Sequence, residues 1–440
     1  MKIGMVSLGC AKNQVDAEIM LGEVTNRNHV IVTDPDEAEV IIVNTCAFIE
    51  SAKEEAINTI LEMAAKKITG NLKYLIVTGC LAQRYAEDIK REIPEVDGII
   101  GVGGFDKICE CIDELMGIDK YVYNKPIIQL DYLNKKRVLT TPSGVAYLKI
   151  AEGCDNRCAY CAIPSIRGPF RSRPFEEIID EAKSLVALGI KELILIAQDS
   201  SRYGLDLYGE PRLAELLTEL NKIEDVHLIR VMYLYPDEVS TKLIDTMRDC
   251  DKVAKYVDLP LQHISDRILK SMNRRGTGSD IRAIINEFKQ KIPNLIIRTS
   301  LIVGFPGETE EDFNELCQFV EEMEFDRVGI FAYSKEEGTK AASMPNQVSK
   351  KEKQLRLEKL MEIQQGISYK NNLKRVGNTY DTIVEGVADD GIFYYGRTYG
   401  EAPEVDGYVY FTSEEPLDMG DMVKVKILIA ENYDLTGEVV

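Results

Sequence analysis

Residues 150–161, "IAEGCDNRCAYC", place Cys154, Cys158 and Cys161 in a CxxxCxxC spacing. Three thiolates this close can grip one metal centre, but a closed structural zinc site or a fully ligated cubane takes four. No fourth cysteine and no histidine stands nearby, His227 being the nearest histidine. Thiolates are soft ligands suited to iron–sulfur clusters, and three of them on a four-iron cluster leave one iron open as a binding site. A zinc site completed from elsewhere in the chain and a nucleophilic cysteine are the alternatives, although nothing around these residues looks like a Cys–His pair.

The stretch belongs to a longer pattern. From Ala146 to about Ser334 six apolar strands recur: "AYLKIAEG", "ELILIAQ", "HLIRVMYL", "YVDLPLQ", "IIRTSLIVG" and "RVGIFAYS". Each but the last is followed by a helical stretch, such as "EEIIDEAKSLVALG" or "EEDFNELCQFVEEM". Six βα units are too few for an eight-stranded barrel, so an open partial barrel is expected, with functional groups at the strand carboxyl ends. The CxxxCxxC loop follows the first of these strands.

Upstream, "KIGMVSLG", "EVIIVNT" and "KYLIVTG" read as buried parallel strands, with "DAEIMLGEV" and "KEEAINTILEMAAKK" as amphipathic helices between them. An open, mostly parallel α/β sheet is expected over residues 1–132. Each of the three strands ends in a cysteine: Cys10, Cys46 and Cys80. Strand carboxyl ends share one edge of such a sheet, where ligands bind, so the three can converge as a second metal site. A lone strand-end cysteine would read as a small buried hydrophobe; three in equivalent positions favour a site.

Downstream, the polar helix "SKKEKQLRLEKLMEIQQGISYKNNLKR" closes a segment of 140–372. Residues 373–440 then show short strands with Gly and Asp turns, which predict a small antiparallel β-barrel of about five strands, OB-like in kind. The whole chain is therefore of the α/β class with this barrel at its end.

Composition narrows the function. The 440 residues suit two or three domains, and 45% hydrophobic residues allow substantial cores. With 73 acidic and 53 basic side chains the formal charge is −20, which argues against charge-driven binding of nucleic acid and suits a basic protein partner. No apolar run approaches the roughly 18 residues of a membrane span, and "MKIGMVSLGCAKNQ" has no signal-peptide pattern. A cytoplasmic enzyme with ten reduced cysteines is expected. Cys109 and Cys111 lie two apart on a helix and so point to different faces; they, Cys250 and Cys317 are left outside any site. His29, His227 and His263 are scattered and read as structural.

The CxxxCx(aromatic)C signature after the first strand of a partial barrel, with Tyr160 as the aromatic, resembles the radical S-adenosylmethionine (SAM) superfamily. The resemblance implies that SAM itself fills the open corner, through its amino and carboxylate groups, and is cleaved by an electron from the cluster to a 5′-deoxyadenosyl radical. It also implies contacts: Tyr160 to the adenine, Gly304, Gly307 and Glu308 of "IVGFPGE" as the adenine-side loop, and Gln198 and Arg298 toward the methionine or ribose end.

The three-part layout resembles the methylthiotransferase branch, carried by "SLGCAKNQVDAE", "NTCAFIESAKEEAI", "GCLAQRY", "EGCDNRCAYCAIPSIRGPFRSRP" and "PLQHISDRILKSMNRRG". The resemblance covers essentially the whole chain. It implies a second four-iron cluster on Cys10, Cys46 and Cys80, a terminal TRAM barrel, no general base, an electron donor such as flavodoxin or ferredoxin, and a sulfur donor.

Branch members modify either a tRNA adenosine or, in the RimO type, an aspartate of small-subunit ribosomal protein twelve. From Gly377 to Val440 there are fourteen acidic residues against Arg397, Lys424 and Lys426, a balance that repels phosphate and attracts a basic protein. "GRTYGEAPEVDGYVY", "FAYSKEEGTKAASMPNQV" and "SLGCAKNQVDAE" resemble the RimO type. Two features depart from it: Ala11, where proline is commoner, and "IPSIRGPFRSRP", whose Gly-Pro resembles the tRNA threonylcarbamoyladenosine-modifying type. The rival readings are a tRNA methylthiotransferase and, from another class, an iron–sulfur carrier without chemistry of its own.

Overall fold

A computed structural model of the chain describes residues 1–127 and 129–440. The chain divides into two compact units. The first comprises residues 1–140, 151–173 and 334–342; the second comprises 141–150, 174–333 and 343–440. Among the described residues no helix is long and apolar enough to cross a membrane.

The first unit is built on a six-stranded parallel sheet. Its spatial order is Val30–Ile31, Lys2–Ser7, Val40–Thr45, Tyr74–Gly79, Gly98–Ile100 and Tyr121–Tyr123. Val40–Thr45 is buried along its whole length, as expected for an apolar strand with both faces covered. The three strands that end in cysteines are immediate neighbours, paired Ser7 with Asn44 and Thr45 with Gly79. The sequence signalled those three strands but not the three short ones at the sheet margins. Two or three residues are too few to show a period.

The second unit holds the six expected barrel strands as two three-stranded parallel sheets. Val145–Lys149, Glu192–Ile196 and Leu228–Val231 form one; Tyr256–Gln262, Ile296–Val303 and Arg327–Ala332 form the other. A single parallel bridge, Ile229 to Val253, lies between them. The helix Glu310–Met323 starts with a capping box, Thr309 and Asp312 satisfying each other's backbone N–H groups, which fixes the turn just before it.

Residues 379–439 close into a five-stranded barrel around Val384, Val409, Phe411, Val425, Ile427 and Leu435. Four of its pairings are antiparallel, while Val409–Thr412 runs parallel to Leu435–Val439. Strand direction cannot alternate all the way round an odd-numbered ring, so the expected antiparallel barrel of five strands contains a parallel neighbour pair.

Candidate iron–sulfur sites

The amino-terminal trio is assembled by strand register. Neighbouring strands lie about 4.8 Å apart, so three in-register carboxyl ends deliver their next residues to one place. Gly9 (φ 94°) turns the chain there, and a Cβ on it would stand 2.7 Å from Cys46 Cβ. Gly79 (φ 92°) makes the same kind of turn before Cys80, and a Cβ would meet Asn44 Oδ1 at 2.5 Å. Only glycine fits either position. Cys10 caps the helix Ala11–Asn26 and Cys80 opens the helix Cys80–Glu92, so two of the thiols sit where helix dipoles favour a thiolate.

Asn13 stitches the strand ends together. Its buried amide donates to the carbonyls of Leu8 and Thr45 at 2.9 Å each, and Asn44 donates to the Asn13 carbonyl at 2.7 Å. The Cys80 thiol points at Asn13 Oδ1, 3.7 Å away. The three thiols sense one another. Burial pushes Cys46 up to about 12, and the nearby Cys80 and Cys10 oppose its ionisation further. Burial likewise raises Cys80, against the pull of Arg167. Desolvation opposes ionisation of Cys10 as well, but Lys12, Arg167 and the backbone N–H groups of Asn13 and Lys12 outweigh it and hold this thiol below its ordinary range.

In the second trio, Cys154, Cys158 and Cys161 are each half-buried on the loop after the first barrel strand. The loop closes on itself. The Cys154 N–H donates to the Gly168 carbonyl at 3.1 Å, and the Cys161 N–H to the Cys158 carbonyl at 3.1 Å. The Ile163 N–H donates to Cys161 Sγ at 3.4 Å. A Cβ on Gly153 would come within 2.0 Å of the Pro169 carbonyl oxygen, so the loop crosses its own backbone there. Tyr160 is half-buried between the second and third cysteines. Among the described residues, no three histidine, cysteine or carboxylate side chains meet at a single point fit for one metal ion. A four-iron cluster spreads three thiolates over three irons, so the donor set of each trio, three thiols with no histidine, fits such a cluster.

Both trios lie in the first unit, and Arg167 connects their surroundings. It closes the short helix Ile163–Arg167 and is 2% exposed. Its guanidinium donates to Asp16 Oδ2 at 2.9 Å, Glu152 Oε2 at 3.0 Å, Asn13 Oδ1 at 2.6 Å and Cys80 Sγ at 3.6 Å. The Tyr132 hydroxyl donates to Glu152 Oε2 at 3.1 Å. Asn13, Asp16, Glu152 and Arg167 all stand inside motifs that flank the cysteines. The sequence shows that they are near a site but not which polar group each one meets.

In the second unit, Gln198 is half-buried just beyond the second barrel strand. Arg298 lies within the fifth, where it pairs with Asp258 at 2.7 Å and approaches Asp406 at 3.7 Å. Gly304 (φ 71°) and Gly307 (φ 81°) shape the turn after that strand. Glu308 holds the turn from within, accepting from the Gly304 N–H at 2.9 Å and from Arg356 at 2.6 Å, with His263 3.5 Å away. Burial opposes its charge, but His263 and these donors hold the carboxyl below its ordinary range. His263 is thus part of the turn's support, and His29 faces the amino terminus at 3.2 Å. Tyr233 (φ 64°) and Gln262 (φ 73°), at barrel-strand carboxyl ends, adopt the strained left-handed conformation that clusters at functional sites; Gln262 stands in the motif "PLQHISDRILKSMNRRG", but nothing in the sequence singles out either residue.

Cys109 and Cys111 are buried on the helix Ile108–Leu115, and a Cβ on Gly98 would come within 2.8 Å of Cys111 Sγ. Both pack as small hydrophobes.

Three family models match the chain: the uncharacterized protein family UPF0004 over residues 2–101, the radical SAM superfamily over 148–320, and the TRAM domain over 376–440. The ribosomal protein uS12 methylthiotransferase RimO of Acetivibrio thermocellus is 53% identical over 446 residues, covering 100% of this chain and 98% of that protein. The protein of the same name from Clostridioides difficile is 51% identical over 439 residues, covering 100% and 99%. Among solved structures, the radical SAM methyltransferase TsrM of Kitasatospora setae shares the fold, with a TM-score of 0.54 at 12% identity over 75% of this chain and 72% of that one. A radical SAM core flanked by these two domains, with relatives at this identity along the full length, places the chain in the RimO family of radical SAM methylthiotransferases.

Proposed function

We propose that the protein attaches a methylthio group to the β-carbon of an aspartate in small-subunit ribosomal protein uS12, using SAM and two four-iron clusters. One observation carries the two-cluster reading: two cysteine trios, each one thiolate short of a closed site, lie in the same compact unit. Cys154, Cys158 and Cys161 would hold the cluster that binds SAM, and Cys10, Cys46 and Cys80 the auxiliary one. With these groups bound, the site supplies a radical able to remove hydrogen from an unactivated carbon and a methylthio group to take its place.

The chain's own residues bind, orient and shield. Tyr160, Gln198, Arg298, Gly304, Gly307 and Glu308 are kept as cofactor contacts on the strength of the motif resemblance, Glu308 acting by holding its turn. No general base is required, because the carbon offers no accessible pKa. Functionally the chain reads as three segments, 1–132, 140–372 and 373–440, in line with the three family matches.

The surface chemistry of the terminal barrel supports a basic protein substrate. Arg397, one of its three cations, is buried and neutralised by Glu192 and Glu385. Exposed Lys424 pairs with Asp381. Tyr395, Tyr408 and Tyr410 cluster on the outer face, ring centroids 5.2 to 6.4 Å apart. Partial burial and then Asp434 raise the Tyr410 hydroxyl, and partial burial and Glu385 raise that of Tyr408. Aromatic faces ringed by carboxylates suit lysine and arginine side chains and repel phosphate. A ribosomal substrate puts the enzyme in the cytoplasm, with an electron donor of the flavodoxin or ferredoxin kind and a separate sulfur donor.

Two variants test the division of labour. Cys158→Ala should abolish reductive cleavage of SAM to 5′-deoxyadenosine and leave the amino-terminal cluster in place. Cys46→Ala should keep cleavage and stop sulfur insertion. Sulfur transfer by Cys46→Ala would refute the assignment.

A further inference from the structure

Arg167 is the residue in "IPSIRGPFRSRP" that the reaction does not by itself explain. It lies six positions after Cys161, on the loop of the SAM-side trio, yet its guanidinium ends at Cys80 of the other trio. The contact is buried and built. Arg167 is 2% exposed, Asp16 and Glu152 are fully buried, and Asn13 takes the shortest of its bonds. A guanidinium fork can serve several acceptors at once where an ammonium would not.

A fold-stabilising ion pair would need only the carboxylates. Here one cation serves two carboxylates and also aims an N–H at a sulfur that, loaded with iron, would be anionic. Removing the cation would reduce the positive charge facing Asp16, Glu152 and the three thiolates, and adding an electron to a cluster there would become harder. Hydrogen bonds to cluster sulfurs and local charge are the levers by which a protein sets cluster potential.

We propose that Arg167 is a positioning residue of the amino-terminal site, holding Cys80 and raising the reduction potential of the cluster bound there. The proposal rests on the auxiliary-cluster reading above. It also means that the loop carrying one trio completes the surroundings of the other.

The test uses the full chain with Cys154, Cys158 and Cys161 changed to alanine, so that only the amino-terminal site can load. The protein is reconstituted with ferrous iron and sulfide. Iron per chain, the EPR spectrum of the reduced cluster and its midpoint potential are then compared with those of Arg167→Lys and Arg167→Gln in the same background, with far-UV circular dichroism to confirm folding. Arg167→Lys should keep its iron, shift the midpoint to more negative values and alter the EPR signal. Arg167→Gln should shift it further, or lose iron while remaining folded. If Arg167→Gln does not fold, Arg167→Lys decides alone. Iron, spectrum and midpoint unchanged from the background in every folded variant would overturn the proposal while leaving the auxiliary cluster standing. A background protein that takes up no iron would overturn the auxiliary-site reading, and this inference with it.

Discussion

At the scale of residues, buried arginine–carboxylate clusters are the recurring device. Arg167 with Asp16 and Glu152 is one, and Arg375 and Arg327 around Glu401 is another. Burial works against the Glu401 charge, but Arg375, Arg327 and the Thr398 hydroxyl hold its carboxyl down at about 2. Lowering a carboxyl from its ordinary 4.5 to about 2 corresponds to roughly 3 kcal/mol of folding stability. The sign follows from the depressed folded value. The contribution is complete above pH 4.5 and lost as pH falls through 2. Glu401→Gln should therefore cost about 3 kcal/mol at pH 7 and flatten the stability curve between these limits, measured by denaturant unfolding across pH. A mutant curve running parallel to wild type would contradict it. None of these pairings was legible in the sequence. Glu401 and Arg375 stand 26 positions apart and Asp16 and Arg167 stand 151 apart, and no period or motif links either pair.

At the scale of elements, what the sequence revealed and what it hid divide by length and by partner. Long apolar runs such as "EVIIVNT" and "IIRTSLIVG" announced their strands, and three strands ending in cysteine announced a shared edge. Val30–Ile31 and Gly98–Ile100 left no signal, because pairing with longer neighbours rather than their own composition makes them strands. The parallel closure of the terminal barrel was equally hidden, since strand direction depends on how the ring closes. The glycines at the cysteine-bearing turns were visible but not their necessity, which lies in a positive φ and a neighbour too close for a methyl group. Gly9→Ala should displace Cys46 and lower iron at the amino-terminal site, while the CxxxCxxC site still loads. The check is iron per chain with and without an added Cys158→Ala. Full iron in Gly9→Ala alone would show that the turn tolerates a side chain.

At the scale of the whole molecule, chain order and compact units do not coincide. The cysteine loop 151–173 leaves the barrel segment in which the sequence places it and belongs to the compact unit of residues 1–140, as do residues 334–342. In the first unit, Glu336 of that second stretch is buried against Lys53 at 2.9 Å and Arg84 at 3.4 Å. The two three-cysteine sets, 74 residues apart at their nearest points, Cys80 and Cys154, therefore belong to one folded body. This placement supports the proposed reaction, in which both sets serve one site. The acidic terminal barrel, with its tyrosine face, then points to a basic protein as the acceptor rather than RNA. The measurement that tests this most directly compares a strain lacking the gene with its parent, taking the mass of ribosomal protein uS12 and the inventory of tRNA nucleosides from each. Loss of one methylthio group from the uS12 aspartate, with tRNA unchanged, is the expected result; a uS12 of the same mass in both strains, accompanied by loss of a methylthio-adenosine, would contradict the substrate assignment.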